Sequence, residues 1–273
     1  MNFCIFKKIA KLVLKSLLFL FLTALTQIGG LIYILTELFV KRNIRKYRFK
    51  KIGVFLITYV FITFLIVPYI APLFGREKIK DTTQIKAHSF VTKLLNRNYV
   101  RPELYIALEK IGSSFQQSNP EIALVYLDAN FPFINGFPLL PHLSHNDGKK
   151  IDISFIYQNQ NNKITNKKPS ISGYGVFEPS IQKEYDQPLV CKQKGYWQYD
   201  FTKYITFGTI NKGLKISKKA TKDLLLAIVK QKKIKKIFIE PHLKNRLEVQ
   251  SAKIRFHGCQ AVRHDDHIHI QLK

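Results

Sequence analysis

The chain has 273 residues, 44 Lys and Arg against 18 Asp and Glu, and a formal net charge of +26. Such an excess asks for an anionic partner, whether nucleic acid, lipid headgroups or wall polymer, and does not by itself choose among them. Three cysteines, Cys4, Cys191 and Cys259, are too few for a disulfide framework and lack CxxC metal spacing. Cys191 and Cys259 read equally well as a pair in an oxidising compartment or as two separate buried thiols.

Residues 12–40 are apolar apart from Lys15, Glu37, a few hydroxyls and the polar patch of Thr26 and Gln27. That run exceeds the roughly 20 residues that cross a bilayer. It is also longer than the apolar core of a secretory signal, about 7–15 residues, and no clear small-residue cleavage site follows it. It reads as a retained membrane helix. Residues 52–74 form a second apolar run without a charge, with Pro68 and Pro72 near its end, where a helix is expected to stop. Between the two, KRNIRKYRFKK carries seven positive charges from Lys41 to Lys51 and no acid. The positive-inside rule puts this loop in the cytoplasm, and both ends of the helical hairpin then face outward. Residues 1–74 are thus expected to be a membrane anchor and 75–273 one globular domain.

Within 75–273 the pattern turns mixed. Residues 101–117 predict a helix with Pro102 in its first turn, and Ser217 can cap another running through Leu224 to Val229. Residues 122–127, 151–157, 236–240 and 267–272 predict strands. Residues 158–170, poor in apolar side chains, predict a mobile surface loop. The class is α+β. Aromatics interleaved with lysines between Lys192 and Lys203 have the composition of a nucleic-acid surface, but no module signature accompanies them and nucleic acid is set aside. Trp197 in that segment reads as core more readily than as groove lining, and Glu240 with His242 reads as a solvated loop.

Five of the eight histidines fall in two segments, PHLSHNDGKKIDISF at 141–155 and RHDDHIHIQL at 263–272. Strand alternation puts Ile268, Ile270 and Leu272 on one face and His267, His269 and Gln271 on the other, the two imidazoles roughly 7 Å apart. The same alternation puts Ile151, Ile153 and Phe155 opposite Asp152 and Ser154. With Gly148 allowing a sharp turn after His145, an Asp and two His can meet around one ion, leaving a position for water as catalytic zinc requires. His267 is then the candidate general base or oxyanion stabiliser. Asp265 and Asp266, just before that strand, can orient an imidazole or simply face water.

The order HxxHxDGxxxD followed by HxxHxH resembles the penicillin-insensitive murein endopeptidases, within the wider group of lysostaphin-type and D-Ala-D-Ala metallopeptidases. The resemblance covers about residues 95–273. It implies a zinc ion on His145, Asp152 and His269, a catalytic histidine at His267 and two further histidines near the site at His142 and His264. His264 is taken as a second catalytic residue, and Asp266, from its place before the strand, as one beside the site. It implies a central antiparallel sheet carrying the zinc site and hydrolysis of peptide cross-links in peptidoglycan. The domain would stand on the extracytoplasmic side of a bacterial cytoplasmic membrane. Enzymes of that family are usually secreted and soluble, which two membrane helices would not be.

Overall fold

The computed structural model describes residues 3–41 and 45–273, so Arg42 of the basic segment lies outside the described residues. Three helices come first: α1 (Phe3–Thr26), α2 (Gly29–Phe39) and α3 (Tyr47–Phe74). The single helix expected over 12–40 is therefore two. Gln27 adopts a left-handed φ of 69°, and Thr26 Oγ1 accepts the Gly29 N–H at 2.9 Å, turning the chain back on itself. Gly29 and Gly30 make the close return possible. A Cβ on Gly30 would lie 1.9 Å from Thr23 Oγ1, and one on Gly29 would lie 2.7 Å from Thr26 Oγ1.

At 11 residues α2 is only about 16 Å long, half a bilayer core. Among the described residues, α1 and α3 are the helices long and apolar enough to cross a membrane. α2 runs antiparallel to both, and its Glu37 meets Lys15 of α1 and Lys51 of α3. The start of α1, with Lys7, Lys8 and Lys11, consequently lies at the same end as Lys51, away from the domain. This corrects the expectation that both termini share one side. In α3 the turns before Pro68 widen into a π-helical stretch, Ile62–Ile66, as a missing N–H and a bulky ring demand. Gly75, at φ 66°, ends the helix.

The hairpin is joined to the domain by more than its linker. Tyr59 Oη donates to the Leu94 carbonyl at 2.6 Å, Asn96 Nδ2 to the Thr26 carbonyl at 3.4 Å, and the Phe133 N–H to Gln27 Oε1 at 2.9 Å. Ile28, Ile32, Tyr59, Val67, Ala71 and Tyr99 form a small core of their own at this junction.

The domain is α+β around a six-stranded sheet of β1 (Ile85–Ala87), β2 (Leu124–Tyr126), β3 (Lys150–Ser154), β4 (Ile234–Phe238), β5 (Ile254–Arg255) and β6 (His267–Leu272), in the order β5-β4-β6-β3-β2-β1. The β4–β6, β6–β3 and β3–β2 pairs are antiparallel and the two outer pairs parallel, so the sheet is mixed with an antiparallel centre. Of the helices, α4 (Phe90–Leu94) follows β1, and α5 (Pro102–Ser118) carries Leu104, Leu108, Ile111 and Phe115 on one face. α6 (Gln187–Gln193), α7 (Lys218–Val229) and α8 (Pro241–Arg246) follow. The apolar faces of α5 and α7 share one core with Ile151, Ile153, Ile268 and Ile270. Period-2 alternation then turns Asp152, His267 and His269 to the opposite face of the sheet. Ser217 sits at the N-cap of α7 without a side-chain cap. The expected loop at 158–170 is partly ordered, with Ile164–Thr165 pairing with Tyr157–Gln158.

Candidate metal centre

β3 and β6 pair in a register that sets His269 directly opposite Asp152. His145 comes from the loop before β3. Gly148, at φ 79°, turns that loop, its N–H held by Asn130 Oδ1 at 3.0 Å while Asn130 Nδ2 donates to the Lys150 carbonyl at 2.7 Å. His145 Nδ1 donates to the Ala129 carbonyl at 2.8 Å, so its Nε2 keeps a lone pair. Nε2 lies 3.2 Å from His269 Nδ1 and 3.2 Å from Asp152 Oδ1, and His269 Nδ1 lies 2.8 Å from the same oxygen. Three ligands about 2.1 Å from one tetrahedral ion would stand about 3.4 Å apart, so two imidazole nitrogens and a carboxylate oxygen here suit a metal ion. His142 is close by, its Nδ1 3.4 Å from Asp152 Oδ2. His142, His145 and Asp152 make a buried group whose ligand atoms all lie within 4.8 Å of one another. The structure thus gives His142 a ligand's position as well as the neighbouring place expected of it.

His267 completes the polar face. Its Nδ1 donates to Asp266 Oδ1, and Asp266 Oδ2 accepts the Gly175 N–H at 2.6 Å. Its Nε2 is buried and, among the described residues, has no hydrogen-bond partner; it lies 3.7 Å from Asp152 Oδ1. Burial works against charge on this ring, but the Asp266 and Asp152 carboxylates outweigh it and push its pKa up to about 9. Burial instead pulls His142 and His264 well below the usual imidazole value and His269 down to about 4. Neutral rings with free lone pairs are what metal ligation uses. Burial opposes ionisation of Asp152 too, yet His145 and His267 hold its carboxyl well below the ordinary range. The histidine face opens on a cleft of about 500 Å³ lined by His142, His257, His264, His267 and His269, with Leu140, Leu143, Trp197 and Phe201 around them.

No family model matches this chain, and no curated protein matches it. The centre is therefore read from its own chemistry, and parts of that chemistry lie outside the motifs. Tyr174 Oη donates to Asp152 Oδ2 at 2.8 Å, and its ring contacts His142 and His267. His257 stacks on Phe238 at 4.0 Å and stands 5.2 Å from the His264 ring. Asp128, paired with Arg97, approaches His142 Nε2 at 3.8 Å, and burial raises its carboxyl to about 6 against the pull of Arg97.

Glu240 and His242 are buried, a correction to the solvated loop expected there. Glu240 Oε1 accepts the His264 N–H at 3.1 Å, and His242 Nε2 donates to the Glu178 carbonyl at 2.8 Å, so each secures backbone near the centre. Trp197, which read as core, is 74% exposed on the cleft rim. Asp265 bonds Arg263, which also reaches Asp200 at 3.0 Å. Cys191 and Cys259 form a disulfide that ties α6 to the segment carrying His257.

Proposed function

We propose that this chain is a membrane-anchored zinc peptidase of the murein endopeptidase type, hydrolysing peptide cross-links of peptidoglycan outside the cytoplasmic membrane. The observation that carries the reading is the convergence of His145 Nε2, His269 Nδ1 and Asp152 Oδ1 within 3.2 Å, with His145 Nδ1 committed to a carbonyl. When bound, zinc supplies Lewis acidity and acidifies water. His267, oriented by Asp266, presents Nε2 to the cleft, where in its charged form it can hydrogen-bond a developing oxyanion; it can take a proton from an attacking water only where it is neutral. His264, its ring 4.9 Å from that of His267, is the second catalytic histidine in this reading. The aromatic and aliphatic rim excludes water from one side of a bound peptide.

Two features support the extracytoplasmic placement. Lys7, Lys8, Lys11 and Lys51 gather at the end of the hairpin away from the domain, where the positive-inside rule puts the cytoplasm. The Cys191–Cys259 disulfide belongs in an oxidising compartment. The net charge of +26 suits an anionic wall polymer.

The test is incubation of the full-length chain with zinc and cross-linked muropeptides, with and without chelator and with His145→Ala, products being read by mass spectrometry. Conversion of dimers to monomers that chelator and substitution both abolish is the expected result. Loss of a single alanine would make it a carboxypeptidase, and absence of cleavage by a zinc-loaded chain would refute the peptidase reading for this substrate.

A further inference from the structure

The helix α4 has two unlike faces, and its cap decides which one looks out. Ser89 Oγ accepts the Thr92 N–H at 3.3 Å, and Thr92 turns inward, its hydroxyl 3.0 Å from His88 Nδ1 and 3.3 Å from the Leu127 carbonyl. The outward face carries Phe90 and Val91, 60% and 54% exposed. Phe90 stacks on Phe64 of α3, ring centroids 5.6 Å apart and planes 17° apart. Lys78 Nζ lies 5.2 Å from the Phe64 ring and Lys93 Nζ 5.7 Å from the Phe90 ring. Lys93 is paired with Asp81 at 2.7 Å.

Phe64 belongs to an apolar strip of α3 that includes Leu56, Ile57, Val60, Phe61 and Leu65. It lies 13 residues beyond Lys51, or about 20 Å along the helix, well within a hydrocarbon layer about 30 Å thick that starts near that lysine. α3 keeps exposed apolar side chains beyond that point, at Tyr69 and Leu73. Phe90 therefore sits at a depth where the helix beside it still meets lipid. Aromatic rings flanked by lysines, the ammonium groups reaching back toward the surface, are the side-chain pattern of a bilayer interface.

We propose that α4 is a second membrane contact. Phe90 and Val91 enter the outer layer of the bilayer that α1 and α3 cross. The inference rests on the membrane reading of the hairpin. It makes the domain a body seated on the membrane, with its cleft at a fixed height, which restricts it to peptides close to the bilayer.

Trp197 is the chain's only tryptophan, so single reporters can be placed in a Trp197→Phe background. The full-length chain is reconstituted in nanodiscs with brominated acyl chains, with tryptophan introduced by Leu56→Trp, Phe90→Trp or, as an independent reporter on the same face, Val91→Trp. Expected is quenching of both α4 reporters comparable to that of Leu56→Trp. Quenching of Leu56→Trp alone would overturn the proposal and leave the membrane hairpin standing. Quenching of none would overturn both.

Discussion

Replacing Tyr174 by Phe removes one hydroxyl from the candidate metal centre and leaves the ring in place. That hydroxyl donates to Asp152 Oδ2 at 2.8 Å, in a site where Asp152 is fully buried. Burial and the neighbouring carboxylate hold the Tyr174 pKa well above its usual value, so the phenol remains a donor at any working pH. A hydrogen bond to an ionised group contributes about 1.5–3 kcal/mol, which at about 1.4 kcal/mol per decade is roughly 10–100-fold in binding. Loss of the outer partner of a metal ligand has the same range, about 10–100-fold in affinity. The ring contacts to His142 at 4.7 Å and His267 at 5.0 Å survive the change, so misfolding is not the expected route. Competition of the full-length chain with a chromophoric zinc chelator should show Tyr174→Phe binding about 10–100-fold more weakly. Affinity within about twofold of wild type would refute the assignment of Asp152 as a ligand braced by Tyr174.

In chelator, the raised pKa of His267 makes its charged form a stabilising group, fully present below pH 6.5 and lost as pH rises through about 9. Thermal midpoints of wild type should fall across that window and those of Asp266→Asn should fall less; parallel curves would argue against the pairing. Glu184 is depressed from 4.5 to about 2, chiefly by its hydrogen bond from Arg246. Its contribution, about 1 kcal/mol after solvent screening, is present above pH 4.5 and lost as pH falls toward 2. Glu184→Gln should flatten that acid limb in a pH series of unfolding midpoints, and an unchanged limb would discount the pair. Removing both Cys191 and Cys259 by alanine opens a crosslink spanning 68 residues of sequence, worth about 4 kcal/mol by chain entropy. Calorimetry of the oxidised and substituted chains should show a lower midpoint for the latter, and equal midpoints would mean the crosslink does not restrain the unfolded chain.

How far the centre could be read from residues alone follows from the range of each signal. Alternation along 267–272 and 151–155 is local, so the division of Ile151, Ile153, Ile268 and Ile270 from Asp152, His267 and His269 could be anticipated. The register that sets His269 against Asp152 is a pairing of distant segments and leaves no local trace. Tyr174 and His257 are invisible for the same reason, since each reaches the centre through tertiary packing and belongs to no periodic pattern. Glu240 and His242 look like a polar loop because their hydrogen bonds, to the His264 N–H and the Glu178 carbonyl, join segments far apart in sequence.

The membrane segment shows what window hydropathy misses. An average over 12–40 sees continuous apolarity and cannot register the positive φ of Gln27 or the close approach that Gly29 and Gly30 permit. The break matters, because a single helix there puts Lys7, Lys8 and Lys11 on the side opposite the basic segment and sets the amino-terminal lysines against the positive-inside rule. With α2 folded back, Glu37 meets both Lys15 and Lys51, and the amino-terminal lysines join the basic segment at one end. Both charge clusters then accord with the proposed orientation, cytoplasmic at that end, and the disulfide accords with a domain on the opposite side.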